Sequence, residues 1–135
     1  MALQASDTVL NAMLDAIETA IGTSAVLKFR TGSVPASCAT ADSGTVIATL
    51  NLPSDWMSAA ASHAKSKTGT WSDTSADASG TIAHWRLYAS DGTTCHLQGT
   101  ATITGGGGDI TLDAVVVTAT QTVTVATFTL TAANT

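Results

Sequence analysis

The chain has 135 residues, enough for one domain with its own core, and a formal net charge of −5 at pH 7. Its only basic residues are Lys28, Arg30, Lys65, Lys67 and Arg86. They are scattered, which disfavours nucleic-acid binding through counterion release, and no run of about 20 apolar residues offers a membrane span. Hydrophobic residues reach 44% but aromatics only 4%, and 25 Thr and 24 Ala outweigh the 11% of charged residues, so small aliphatic side chains fill the core and hydroxyls cover the surface.

Residues 2–22 predict an amphipathic helix. Leu3, Leu10, Met13, Leu14, Ile17 and Ile21 recur on one stripe at a period of about 3.6 residues. Val9 and Ala20 widen it, and Asp7, Asn11, Asp15 and Glu18 lie opposite. Ser6 or Asp7 caps the start and Gly22 supplies the stop. The acidic residues and the lack of a basic start argue against a secretory signal. The apolar stripe needs a partner. Either it covers a face or open end of the sheet that follows, or Leu3, Leu10, Met13, Leu14, Ile17 and Ile21 form a subunit interface.

Residues 24–135 predict an antiparallel β-sandwich or jelly roll, so the chain reads as a single mainly β domain, 1–135, with one N-terminal helix. Residues 25–31 form a strand in which Leu27 and Phe29 alternate with Val26, Lys28 and Arg30. Residues 32–44 have no periodicity and read as a loop. Residues 45–52 form a second strand, ended by Pro53. Residues 54–68 read as loop with at most one helical turn, and a short strand surrounds Trp71.

Residues 81–112 predict a three-strand meander with one buried face and one wet, Thr-rich face. A three-residue loop, Ser90-Asp91-Gly92, pairs Leu87 with Cys95 and Trp85 with Leu97, apolar against apolar. A four-residue glycine tip, Gly105 to Gly108, pairs Ile103 with Ile110 and Ala101 with Leu112. Val115, Val116 and Val117 predict a strand covered on both faces. In residues 123–131, Val123 and Val125 have opposite parity to Phe128 and Leu130. A bulge near Ala126 or a passage from one sheet to another resolves this.

No residue set spells out a reaction, so no catalytic residue, cofactor-binding residue or metal ligand is assigned. His84 and His96 face outward as near diagonal neighbours, but two histidines are too few for a structural zinc. The glycine run is followed by a strand rather than a helix and lacks a following Lys-Ser or Lys-Thr, unlike a phosphate loop. Asp73 and Asp77 lack the spacing of a calcium loop. Glu18 is the only Glu, and it lies in the helix. Cys95 falls on the inward face. It is either a buried thiol or the partner of Cys38 in a disulfide.

Three stretches carry a resemblance: Asn11 to Gly22, Trp85 to Gly99, and Gly107 to Asp113 with the later Gln-Thr-Val-Thr-Val and Phe-Thr-Leu-Thr. Together they resemble small Thr/Ala/Gly-rich structural proteins of tailed bacteriophages. The resemblance implies a non-enzymatic virion protein of head decoration or cement type, located in a particle assembled in the bacterial cytoplasm. It implies the major capsid protein or other virion subunits as partners, and a homo-oligomer, with a trimer among its forms. Nucleic acid and membrane are not expected as partners. The alternatives are a tail or neck component, and a carbohydrate- or receptor-binding module using Tyr88, Trp56 or Trp71.

Overall fold

The computed structural model describes residues 3–134. Helix α1 (Asp7–Ile21) starts where Ser6 Oγ accepts from Val9 N at 3.3 Å, and ends where Gly22 N donates to Glu18 O at 2.8 Å. It is shorter than the sequence predicts: Leu3 precedes it, because the Ser6 cap decides the start, and residue 2 lies outside the described residues. Eleven short strands follow among the described residues. They are β1 (Val26–Arg30), β2 (Val46–Asn51), β3 (Ala64–Ser66), β4 (Trp71–Asp73), β5 (Gly80–Thr81), β6 (His84–Tyr88), β7 (Cys95–Ile103), β8 (Ile110–Leu112), β9 (Val116–Val117), β10 (Val123–Val125) and β11 (Thr129–Thr131). One sheet has the order β2-β1-β6-β7-β8, and three two-stranded ribbons pair β10 with β4, β11 with β3, and β5 with β9. The molecule is thus mainly β, with curled, largely antiparallel sheets and one helix.

The core lies on one face of the five-stranded sheet. Leu27 sits opposite Leu87 and Phe29 opposite Trp85, and Leu50 and Ala48 continue the same rows onto β2. The ribbons close over this face. Trp71 and Phe128 have ring centroids 5.4 Å apart, Trp85 meets Phe128 edge-on at 5.8 Å, and Trp56 meets Trp71 at 6.0 Å. The parity break near Ala126 is a passage between ribbons: β10 pairs with β4, and β11 with β3. Leu10, Leu14 and Ile21 of α1 are buried.

The polar row of α1 beside that stripe, Asn11, Asp15 and Glu18, is not left to solvent, whereas Thr8, Ala12, Ala16 and Thr19 opposite it are exposed. Asn11 Oδ1 accepts from His63 N at 3.0 Å, Asp15 Oδ1 from Ala60 N at 2.9 Å and Glu18 Oε1 from Met57 N at 3.1 Å. Buried Lys65 reaches both Asp15 and Glu18 at 2.8 Å. The helix therefore binds residues 57–65 with its polar row. That segment is a small hairpin whose turn residues, Ser62 (φ 49°) and His63 (φ 63°), are both left-handed. Neither residue type signals such a turn, which explains why the sequence reads it as loop. Asp73 and Asp77 hold the edge of β2: Thr49 N donates to Asp73 Oδ2 at 2.9 Å and Thr49 Oγ1 to Asp77 Oδ2 at 2.7 Å.

Two registers differ from expectation. The β6–β7 connection closes at Ala89 N to Thr94 O, 2.9 Å, and β7 then bulges at His96, so that Leu97 lies opposite Leu87, Gly99 opposite Trp85 and Cys95 opposite Tyr88. The bulge keeps Leu97 on the core side but turns Cys95 to the other face. Gly99 leaves room for Trp85, whose ring atom Cζ2 would lie 2.8 Å from an added Cβ. The second difference is larger: β8 runs parallel to β7, pairing Ala101 with Ile110 and Ile103 with Leu112. The glycine run is the return leg of a tight crossover, not a hairpin tip. It lies so close to β7 that a Cβ on Gly108 would be 2.9 Å from Thr102 N. Asp109 pins its end, its Oδ2 accepting from Thr100 N at 2.8 Å.

Candidate functional site

The second face of the sheet carries the chain's concentration of polar chemistry. Strand alternation places Lys28 and Arg30 of β1, His84, Arg86 and Tyr88 of β6, and Cys95 and Gln98 of β7 on this side. The expected wet face is instead an interior, with His84, Arg86, Tyr88 and Arg30 all buried. Residues 32–44 arch over it. The neck of this loop is pinched where Thr31 N donates to Thr45 O at 3.1 Å and Thr45 N to Thr31 Oγ1 at 2.9 Å. Gly44 (φ +71°) is required there, since a Cβ would fall 1.9 Å from Thr31 O.

Asp42, near the end of the loop, is the centre. Its Oδ2 accepts from Arg30 Nη2 at 2.8 Å, and its Oδ1 accepts from Tyr88 Oη at 2.7 Å and from Arg86 Nη1. Arg86 Nη2 also donates to three loop carbonyls: Ser37 at 3.1 Å, Cys38 at 3.0 Å and Thr40 at 3.0 Å. A planar guanidinium with a fixed fan of donors suits this task, and a lysine ammonium could not span the same points. Gln98 Nε2 donates to Pro35 O at 2.6 Å. His84 Nδ1 lies 2.8 Å from Gly32 O; since a carbonyl only accepts, that nitrogen carries the proton.

Two guanidinium side chains, 8% and 1% exposed, share one carboxylate that is 38% exposed. Positive charge is therefore in excess inside the loop. Burial alone would raise the Asp42 carboxyl, but hydrogen bonds from Tyr88 and Arg86 and the charges of Arg30 and Arg86 outweigh it and hold the group below its usual range. The Tyr88 hydroxyl is pushed up to about 12 by burial and by its bond to Asp42. Burial disfavours the charged form of Arg86, and its bond to Asp42, its contact with Cys95 and the Asp42 charge together more than offset this.

The sequence-predicted residues fall differently from expectation. His84 is buried rather than outward. His96 sits at the bulge, opposite the far end of β6 from His84. The two are thus separated by about four residues along the ladder, on the order of 13 Å. Among the described residues, no three His, Cys, Asp or Glu side chains converge as a metal set. Tyr88, Trp56 and Trp71 are buried, so the expected glycan platform is not on the surface. The helix stripe divides: Leu10, Leu14 and Ile21 are buried and Ile17 packs against the core, whereas Leu3 and Met13 are exposed. Cys38 and Cys95 are brought together as free thiols, Sγ to Sγ 2.9 Å, on the face opposite the one expected for Cys95.

Sequence reasoning missed the Asp42 cluster. A signal existed: three of the five basic residues, Lys28, Arg30 and Arg86, share one strand parity, and a glycine-bounded loop holding one carboxylate follows β1. Chemically, the arrangement holds a loop down and sets two thiols beside a guanidinium. Comparison with protein families, curated proteins and solved structures finds no match to this chain.

Proposed function

We propose that the chain is a non-enzymatic structural protein of a tailed-bacteriophage virion, a head decoration or cement protein that stabilises the capsid by burying surface between subunits. Its partners are the major capsid protein or another virion subunit, together with copies of itself. The observation that supports this reading is on the outer side of α1. Val9 and Met13, one turn apart, are 49% and 57% exposed, and Leu3 just before the helix is 89% exposed. Neighbouring large apolar groups kept in water favour burial in an assembly. In the same reading the curled sheets are the layers of a β-sandwich of jelly-roll type, with the five-stranded sheet as one layer and the ribbons as the other.

The test is a double substitution, Val9→Ser with Met13→Ser, introduced into the phage. Purified particles should carry the wild-type chain at a fixed ratio to capsid subunits and lose the variant, whose melting curve should match wild type. Wild-type chain recovered from lysate but absent from particles overturns the proposal. A label seen at the neck or tail assigns the chain there instead.

A further inference from the structure

We propose that Cys38 and Cys95 form a redox pair that closes to an intramolecular disulfide by exchange with a small-molecule disulfide, stapling the 32–44 loop onto the five-stranded sheet. The two sulfurs are 57 positions apart in the chain and in contact in the fold. Both residues are half-buried, so a small reagent can reach them. Arg86 lies beside the pair, donating to Cys38 O and placing its charge next to Cys95. A guanidinium at this position favours a thiolate. The cluster also has positive charge in excess, with Arg30 and Arg86 sharing Asp42 alone, and a thiolate offsets it.

The pair is asymmetric. Cys95 Sγ donates to Leu97 O at 3.4 Å and faces Cys38 Sγ as the donor, and burial with that contact pushes its thiol up, so Cys95 keeps its proton and Cys38 is the first to attack. The Cys38 thiolate, its proton passed to solvent, attacks one sulfur of a disulfide such as oxidised glutathione. The bond between the two glutathione sulfurs breaks, and one leaves as a thiolate that takes up a proton. Cys95 then attacks the Cys38 sulfur of the mixed disulfide as its own proton passes to solvent. The second glutathione leaves as a thiolate and is protonated in turn. Two protein thiols are oxidised to one disulfide, and one glutathione disulfide is reduced to two thiols. The staple ties the loop that carries Asp42 to β7, and restrains a long segment of the unfolded chain.

The experiment equilibrates the full-length protein with oxidised glutathione and reads mass, thiol titration after unfolding, and melting temperature. The expected product is a monomer with no titratable thiol, no bound glutathione and a Cys38–Cys95 cross-linked peptide, melting higher by roughly 10 °C. Cys95→Ser should trap a glutathione adduct on Cys38. Cys38→Ser should form an adduct on Cys95 at least about tenfold more slowly. Two thiols still titratable, two stable adducts, a disulfide between chains, equal rates in the two variants, or an unchanged melting temperature overturns the proposal.

Discussion

Asp42→Asn tests the central claim that one carboxylate organises the second face of the sheet. The substitution keeps the side chain's size, removes its charge and turns one oxygen into an amide nitrogen facing a guanidinium. Arg30 and Arg86 then remain buried with no counter-charge, and Tyr88 is left with a weaker acceptor or none. Removing one partner of a buried pair costs about 3–5 kcal/mol. Water reaches Asp42, whose side chain is 38% exposed, and this places the expected loss near the lower end, about 3 kcal/mol. In a chain of this length that corresponds to a fall in melting temperature of roughly 10 °C. Urea unfolding should show a lower midpoint with an unchanged slope. The pH dependence has a definite sign. The Asp42 carboxyl is held below its usual range, so its contribution is complete above about pH 4 and fades as pH falls through the lower folded value. The gap between wild type and variant should therefore narrow in acid. A loss below about 1 kcal/mol at neutral pH, the range of exposed ion pairs, would refute the reasoning.

Three further outcomes are expected. Gly44→Ala, whose Cβ would collide with Thr31 O, should cost about 3 kcal/mol or more, whereas Gly32→Ala, with nothing within 4 Å of its Cβ, should cost only about 1–2 kcal/mol for its left-handed φ; equal losses in urea unfolding would contradict the pinched neck. Lys65→Met removes the ammonium held by Asp15, Glu18 and Ser58 O and should destabilise by about 2 kcal/mol, with hydrogen exchange of residues 57–65 accelerating first; uniform exchange along the chain would argue against helix docking through this row. Ser62→Asn places a residue more tolerant of left-handed φ in the hairpin turn and should stabilise by about 0.5 kcal/mol in thermal unfolding, and a destabilisation there would count against the turn geometry.

Much of the candidate site's raw material is visible in the chain. Arg30, His84, Arg86 and Tyr88 share one strand parity, and Pro35, Cys38 and Asp42 lie in a recognisable loop. What could not be read was that the loop covers that parity. The bonds that bring it down run from Arg86 to backbone carbonyls of Ser37, Cys38 and Thr40, and every residue has a carbonyl, so the acceptors leave no mark in the sequence. The acidic row of α1 failed for a similar reason. Asn11, Asp15 and Glu18 look like a solvated face, and their acceptance of backbone donors from the 57–65 hairpin depends on a turn without a signature.

The alternation along each strand determined by itself that Leu27 and Phe29 share one side of theirs and Trp85 and Leu87 one side of theirs, because a strand turns successive side chains to opposite faces whatever surrounds it. The helix was determined in the same local way, with Ser6 or Asp7 as its cap, and the structure selects Ser6. Tertiary structure alone decided the rest. A single bulge at His96 reverses the parity of Cys95 and carries it to Cys38, and a glycine run compatible with a hairpin tip instead folds back to make β8 parallel to β7. Both outcomes turn on one residue's insertion or on the absence of side chains. There the local preferences are nearly even, and packing against the rest of the molecule settles the choice.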